Sequence, residues 1–484
     1  MSDKERLQSP GDYFVDGVMI VGSSGARINV TDQVREINIY QNINTPFMSG
    51  SIIIADSMGV AELLPFLGQE RLLFSLKTPT RRSIDFNNYH AIIYNVQKRF
   101  ANTDKEQTFI LNWTTLDNYR NVRTKISESF DGSISDIVTK ILKGKDYLAT
   151  NKPINIERTK NLRQYVFPNI TPFQAINLMK EEAISKDESS PCFVFFENQD
   201  GYHFRSMDSL IGQLGELNVP HKKTYKYQPS KGNSTRDPED GLSTIISWSV
   251  TNNNNSFLNT RHGLYSSTLY YHDIFNKNVQ KFVYSYGNDR MKRNFMNQES
   301  KNFNTIVPSL KMDGGKRLDQ HPCKTFIHPT GSDKLHTKGT DNNAEEWLQE
   351  SRSRNLEREF FDLKIETNGD TDIQCGDMIN VVIPSNKPLS LESGKEAIDP
   401  ILSGRYLITS IHHKVTPTES NHSMVMNIMK DSVMKATPVE DVQYPEEPKG
   451  SVDVGLKATK TKLKPKTRVV AIESGGRMKG QAGR

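Results

Sequence analysis

Long apolar runs are missing from this chain. Its most apolar stretches, such as Ser51–Ala55 and Arg71–Leu76, have the length of one strand, far from the roughly 18 residues a membrane-crossing helix needs. Cysteine is scarce: Cys192, Cys323 and Cys375 are an odd number without a spacing pattern, which speaks against a disulfide framework and for synthesis in a reducing compartment. Hydrophobic residues make up only 35% of 484 and the mean hydropathy is −0.61, so loops or partner contacts are expected to outweigh one dense core. The N-terminal MSDKERLQSPGDY is charged and has no apolar stretch, which reads as no secretory signal.

Catalytic patterns are equally scarce. The chain has no G-x-S-x-G elbow, and its acids are too scattered to nominate a glycosidase pair. MDGGKR at Met312–Arg317 lacks the spacing that wraps phosphates and reads as a turn. A calcium loop starting at Asp370 would need Gly at its sixth position and Glu at its twelfth. Cys375 and Val381 stand there, so Asp370, Asp372 and Asp377 read as a turn before a strand. His321, Cys323, His328 and His336 form the one soft-ligand cluster, without a C-x-x-C or H-E-x-x-H frame. His412 and His413 are neighbours in a strand and point to opposite faces, so they cannot clamp one ion. No catalytic residue, cofactor site or metal site is assigned.

What the chain does have is a duplicated β-pattern. Tyr89–Trp113 and Arg405–Met429 each run apolar strand, polar turn, apolar strand. Each follows a Gly-acid strand start, Gly68–Glu70 before RLLFSL and Gly376–Asp377 before MINVVI. The competing reading is that any two antiparallel hairpins look alike. Ser243–Val250 matches Val34–Tyr40 in character, and Ser266–His272 followed by Asp273 parallels Ser51–Ala55 followed by Asp56.

Between the copies the period changes from two to 3.6. Ile134, Ile137, Val138, Ile141 and Leu142 form one helical stripe, with Ser133 as N-cap and Gly144 as its stop. Thr171-Pro172-Phe173-Gln174 is a capping box opening a helix to about Ile184. A hairpin of Cys192–Phe196 and Tyr202–Ser206 follows.

The expected fold class is therefore α+β, mainly antiparallel β, with two similar β-barrel domains, an inserted α+β domain and an extended C-terminal tail. The expected organisation is a first barrel over 12–116 and the inserted domain over 117–215. A discontinuous second barrel covers 242–273 and 345–435, with a partly looped insertion at 274–344 and the tail at 437–484.

Charge sets the tail apart. Residues 449–484 hold 10 Lys/Arg against 2 Asp/Glu, leaving 52 basic and 55 acidic residues before them. The body is thus no basic nucleic-acid binder. Lys457, Lys460, Lys462, Lys464, Lys466 and Arg468 punctuate Thr, Pro and Val with too few large apolar residues to fold alone. They read either as a solvated tail or as an arm that orders on a partner, and no aromatic interleaves them for base stacking.

One set of residues resembles a known family. Ile28–Val30, Val34–Tyr40, Pro46, Gly50–Ile54, Asp56 and Leu64-Pro65 running into Gly68-Gln69-Glu70 resemble the baseplate hub proteins of contractile-tailed bacteriophages. These are related to phage late-control proteins and to the hub part of type VI secretion spike proteins. Gly376–Val381 followed by Ser403–Ile408 resembles the family's second barrel. The resemblance implies a non-enzymatic homotrimer with no cofactor. Its two barrels per chain would give six near-equivalent positions joining the six-fold tail tube to the three-fold central spike. It implies as partners the central spike protein, tail tube or tube-initiator proteins and neighbouring baseplate proteins, with DNA only as transiting cargo. It places the protein in the virion tail baseplate, made in the host cytoplasm. The alternatives are a tail-associated peptidoglycan hydrolase and the hub of a phage-derived injection or secretion system.

Overall fold

The computed structural model describes residues 6–433 except 24, 64–65, 104–105, 161, 213–220, 229–236, 254, 274–276, 291–292, 294, 298–314, 331–342, 359–360 and 386–397. The six tail residues from Lys457 to Arg468 and His336 lie outside the described residues.

Strands arise where apolar residues alternate. In Arg71–Lys77, Leu72, Phe74 and Leu76 are buried and their neighbours are not. Six strands make the first β-unit, in spatial order Phe14–Val21, Arg71–Lys77, Ala91–Thr103, Glu106–Thr115, Ser49–Asp56, Val34–Asn42. Six make the second, in the order Lys223–Tyr227, Met378–Val382, Gly404–Thr416, Asn421–Lys430, Phe361–Asn368, Thr244–Asn253. Chain order within each unit is the same. The second unit closes, because Lys223–Tyr227 pairs with both Met378–Val382 and Thr244–Asn253, parallel to each. The first shows no such ladder among the described residues. Phe14–Val21 runs antiparallel to Arg71–Lys77 and takes Arg27–Asn29 on its other side. On the side of Val34–Asn42, the Val30 N–H donates to Val18 O at 2.9 Å.

The two units match rung by rung. Ile93 faces Trp113 before a bulge at Tyr94, and Ile408 faces Ile428 before a bulge at Thr409. A second shared bulge falls at Arg35 and Ile246. Phe109, Leu111 and Trp113 thus occupy the places of Met424, Met426 and Ile428, all inward and buried. The stretches Tyr89–Trp113 and Arg405–Met429 thus hold equivalent hairpins of the two units, in a register that a slip of one residue would invert, turning every core side chain outward. The Gly-acid starts also correspond. Glu70 accepts the Leu67 N–H at 2.6 Å, and Asp377 accepts the Gln374 N–H at 2.9 Å, each three residues back.

One expected equivalence is corrected. Ser266–Asp273 does not join the second barrel. It is the middle strand of a separate sheet, antiparallel to Asn278–Ser285 and parallel to Lys324–Thr330. Its Leu269 and Tyr271 pack with Trp347 of helix Ala344–Glu357 instead of a barrel core. The counterpart of Ser49–Asp56 is Phe361–Asn368, reached only after residues 254–360.

The inserted region carries helices Ile134–Lys143 and Pro172–Glu182 against a sheet of Ile154–Ile156, Gly201–Ser206 and Phe193–Asn198. Ser133 Oγ accepts the Asp136 N–H, and the Thr171–Gln174 box makes both its bonds. Gly144 ends its helix with an ordinary φ of −62°. A Cβ there would sit 2.6 Å from both Lys140 O and the Tyr147 ring, so close approach, not a left-handed turn, is what calls for glycine.

Candidate functional site

No group of three or more His, Cys, Asp or Glu side chains placed to hold a metal is found among the described residues. Cys323 is exposed with its thiol against His321 O at 3.0 Å, while His328 stacks on Tyr271 elsewhere. The polar chemistry gathers instead at junctions between the units, and these make up the candidate site.

The first junction is a strand seam. Val34–Asn42 pairs antiparallel with Gly404–Thr416, Ser410 facing Asn42 through to Val415 facing Ile37. Edge strands present unpaired N–H and C=O groups that demand a partner, and here each unit's edge satisfies the other's. On the outer face His412 stacks on Tyr40 at 4.6 Å and reaches Asn38 Oδ1 with Nε2 at 2.7 Å. Lys414 pairs with Glu36 at 3.2 Å. On the inner face Val415 enters the first unit's core. His413 is fully buried, its Nδ1 3.2 Å from His422 Nε2. Burial pushes both imidazoles down, His422 to about 3. The two neighbouring histidines do point to opposite faces, one outward and one into the interior.

The second junction is built by the acids that mimic a calcium loop. Thr371 and Thr78 exchange bonds, Thr78 N–H to Thr371 Oγ1 at 3.0 Å and Thr371 N–H to Thr78 Oγ1 at 3.2 Å. Asp372 accepts the Arg82 N–H at 2.9 Å and Asp370 accepts Lys223 Nζ at 2.5 Å. Asp200 of the inserted region accepts from Arg82 at 2.8 Å and Gln374 at 2.7 Å. Burial raises Asp200, but those two hydrogen bonds and the Arg82 charge outweigh it and hold the carboxyl below its ordinary range. One loop thereby ties both β-units and the insert together.

The third junction is a buried ionic cluster. Arg290 contacts Glu357 at 2.8 Å and Asp431 at 2.9 Å. Arg354 contacts Glu357 at 2.5 Å and also pairs with Asp208. Ser190 and Tyr286 donate to Asp208 and Glu357. Burial alone would raise Asp208 and Glu357, yet the facing guanidinium groups hold both below the ordinary range. Four segments distant in sequence meet here, two guanidinium groups among three carboxyl groups, and burial pushes the third, Asp431, up. Sequence reading missed this cluster. Only the Arg354–Glu357 spacing of three on one helix could have signalled it.

A fourth contact fixes the insert to the first unit. Glu197 Oε2 accepts the Met48 N–H at 3.2 Å and Thr115 Oγ1–H at 2.9 Å, while its other oxygen meets Lys152.

These are devices for holding parts in place. No protein-family model matches the chain. A curated relative, the probable baseplate hub protein gp334 of Vibrio phage KVP40, is 23% identical over 448 residues, covering 85% of this chain and 93% of the relative. The tail protein of Neisseria meningitidis MC58 superposes with a TM-score of 0.50 at 12% identity, covering 87% of this chain and 97% of that one. The 43 kDa tail protein of prophage MuSo2 from Shewanella oneidensis reaches 0.46 at 8% identity, over 86% and 98% of the two chains. The chain is thus similar in sequence to a probable phage baseplate hub protein and shares the fold of a phage tail protein.

Proposed function

We propose that this protein is a structural hub subunit of a contractile phage tail baseplate. Three copies would join the six-fold tail tube to the three-fold central spike and leave a channel for DNA. The observation that carries the reading is the rung-by-rung match of two β-units joined edge to edge in one chain. Two such units per chain give a trimer six similar positions, which is what a three-fold to six-fold adaptor requires. The hub name of the curated relative supports it. So does the near-balance of charge before residue 449, because a strongly basic lumen would retain the genome by phosphate attraction.

In this role the chain is made in the host cytoplasm and works in the virion. Its neighbours are the spike, the tube or its initiator, and other baseplate proteins. It performs no reaction. The basic arm carrying Lys457 to Arg468 is assigned to a neighbouring subunit. Deleting 449–484 should weaken binding to a tail protein and leave DNA binding unchanged. A zymogram on bacterial cell wall tests the non-enzymatic reading: no cleared band is expected, and a clear band from the purified chain would overturn it.

A further inference from the structure

The internal seam has a counterpart left open on the outer edge of each β-unit. Through the shared register, Ile37–Gln41 of the first unit correspond to Trp248–Asn253 of the second. Ile411–Val415 of the second correspond to Val96–Ala101 of the first. Among the described residues neither counterpart has a partner along that edge. Thr244–Asn253 meets Lys223–Tyr227 only at Thr244 and Ile245, and Ala91–Thr103 meets Arg71–Lys77 only at Ala91 and Ile92.

We propose that these two edges form a seam between neighbouring copies, Val96–Ala101 of one copy antiparallel to Trp248–Asn253 of the next. This rests on the trimer reading and specifies its contact. The register follows from the internal seam: Val96 faces Asn253, Gln97 faces Asn252, Phe100 faces Ser249 and Ala101 faces Trp248. Each free edge carries one residue more than its internal counterpart, at a bulge between Gln97 and Phe100 and another between Val250 and Asn252. The two additions fall at facing rungs, so they cancel and the antiparallel count runs unbroken. An extra residue on one strand alone would have broken it.

The occupant of each edge is a second copy, because the matching edge exists on this chain but at the far end of the paired units. Such head-to-tail contacts close into a ring when the rotation permits. Large apolar side chains are exposed beside both edges, Phe100 at 53% and Tyr94 at 52% on one, Ile246 at 52% on the other. Lys98, with φ of +51°, and Arg99 interrupt the first edge, the kind of device that discourages pairing with arbitrary strands.

The test places Phe100→Cys and Ser249→Cys together in full-length chain carrying Cys323→Ser, since Cys323 is the exposed free thiol. Mild oxidation should give reductant-sensitive species at two and three times the 55.0 kDa chain mass. Phe100→Cys with Thr251→Cys, two residues out of register, should give roughly tenfold less, because the shift carries the Cα atoms beyond disulfide reach. An assembled oligomer by light scattering with no in-register crosslink, or with equal crosslinking of both pairs, would overturn the seam and leave the trimer reading standing. A chain monomeric across the accessible concentration range would overturn both.

Discussion

The two β-units differ most where they do not need to agree. Along the five strands that share a register, core positions correspond, yet the volumes are redistributed. Gly50 faces Trp113 in the first unit, and Leu363 faces Ile428 at the same rung of the second. A Cβ on Gly50 would lie 2.4 Å from the Trp113 ring and 2.0 Å from Asn38 O. The sixth strand departs altogether, antiparallel and flanked by Arg27–Asn29 in the first unit, parallel and ring-closing in the second. Each unit is also loaded differently. The first receives the insert through Glu197, and the second carries its own inserted sheet, held by the Arg290–Arg354 cluster. A duplicated frame keeps register because one slip inverts every face, while loops and end strands are free to diverge.

The largest expected effect separates the units by their ionic contents. Arg354→Met leaves Asp208 and Glu357 facing fewer charges in the interior and should cost about 3–5 kcal/mol in denaturant unfolding. A loss below about 1 kcal/mol would mean the cluster is dispensable. Next comes the swapped core rung. Leu363→Ala should cost about 2–5 kcal/mol by cavity formation, whereas Gly50→Ala should cost about 1–3 kcal/mol by overpacking. A cost below about 1 kcal/mol at either position would break the rung-by-rung match.

Acid should act on the second unit first. His413 and His422 are held neutral by burial, and no histidine stands at their places in the first unit. The unfolded chain therefore binds more protons as pH falls below the ordinary imidazole range, and folding stability, present above about pH 6.5, declines from there towards pH 3. Between about pH 7.5 and about pH 5 the loss from His422 should be about 2 kcal/mol, and His413 should add to it in the same direction. Hydrogen exchange should show Gly404–Thr416 and Asn421–Lys430 opening before Ala91–Thr103, and the double variant His413→Asn/His422→Asn should flatten the dependence. The smallest effect is at the seam surface, where Lys414→Ala should change stability by less than about 1 kcal/mol, since its partner Glu36 is reached in solvent.

Much of this frame was legible from local signals. The capping box at Thr171, the stripe from Ile134 to Leu142 and the Phe193–Ser206 hairpin depend on neighbours within a few residues. The hub resemblance was legible too, from short strand-start motifs. The second unit's third strand in the chain was not. Ser266–Asp273 has the composition of a barrel strand, and only its long-range pairing shows that Phe361–Asn368 takes that place. The rung-level register of the two hairpins was not legible either, because a bulge such as Tyr94 or Thr409 leaves no mark in composition. Asp370 and Asp372 read as turn residues, and their joint role with Asp200 at the junction depends on Arg82 and Lys223, far away in sequence.

The central claim is that two matched units per chain become six positions in a trimer. Light scattering of the full chain, alone and with its spike partner, tests it most directly. A particle of three times the 55.0 kDa chain mass is expected before any spike is added to it. A mass of one chain in both samples would contradict it.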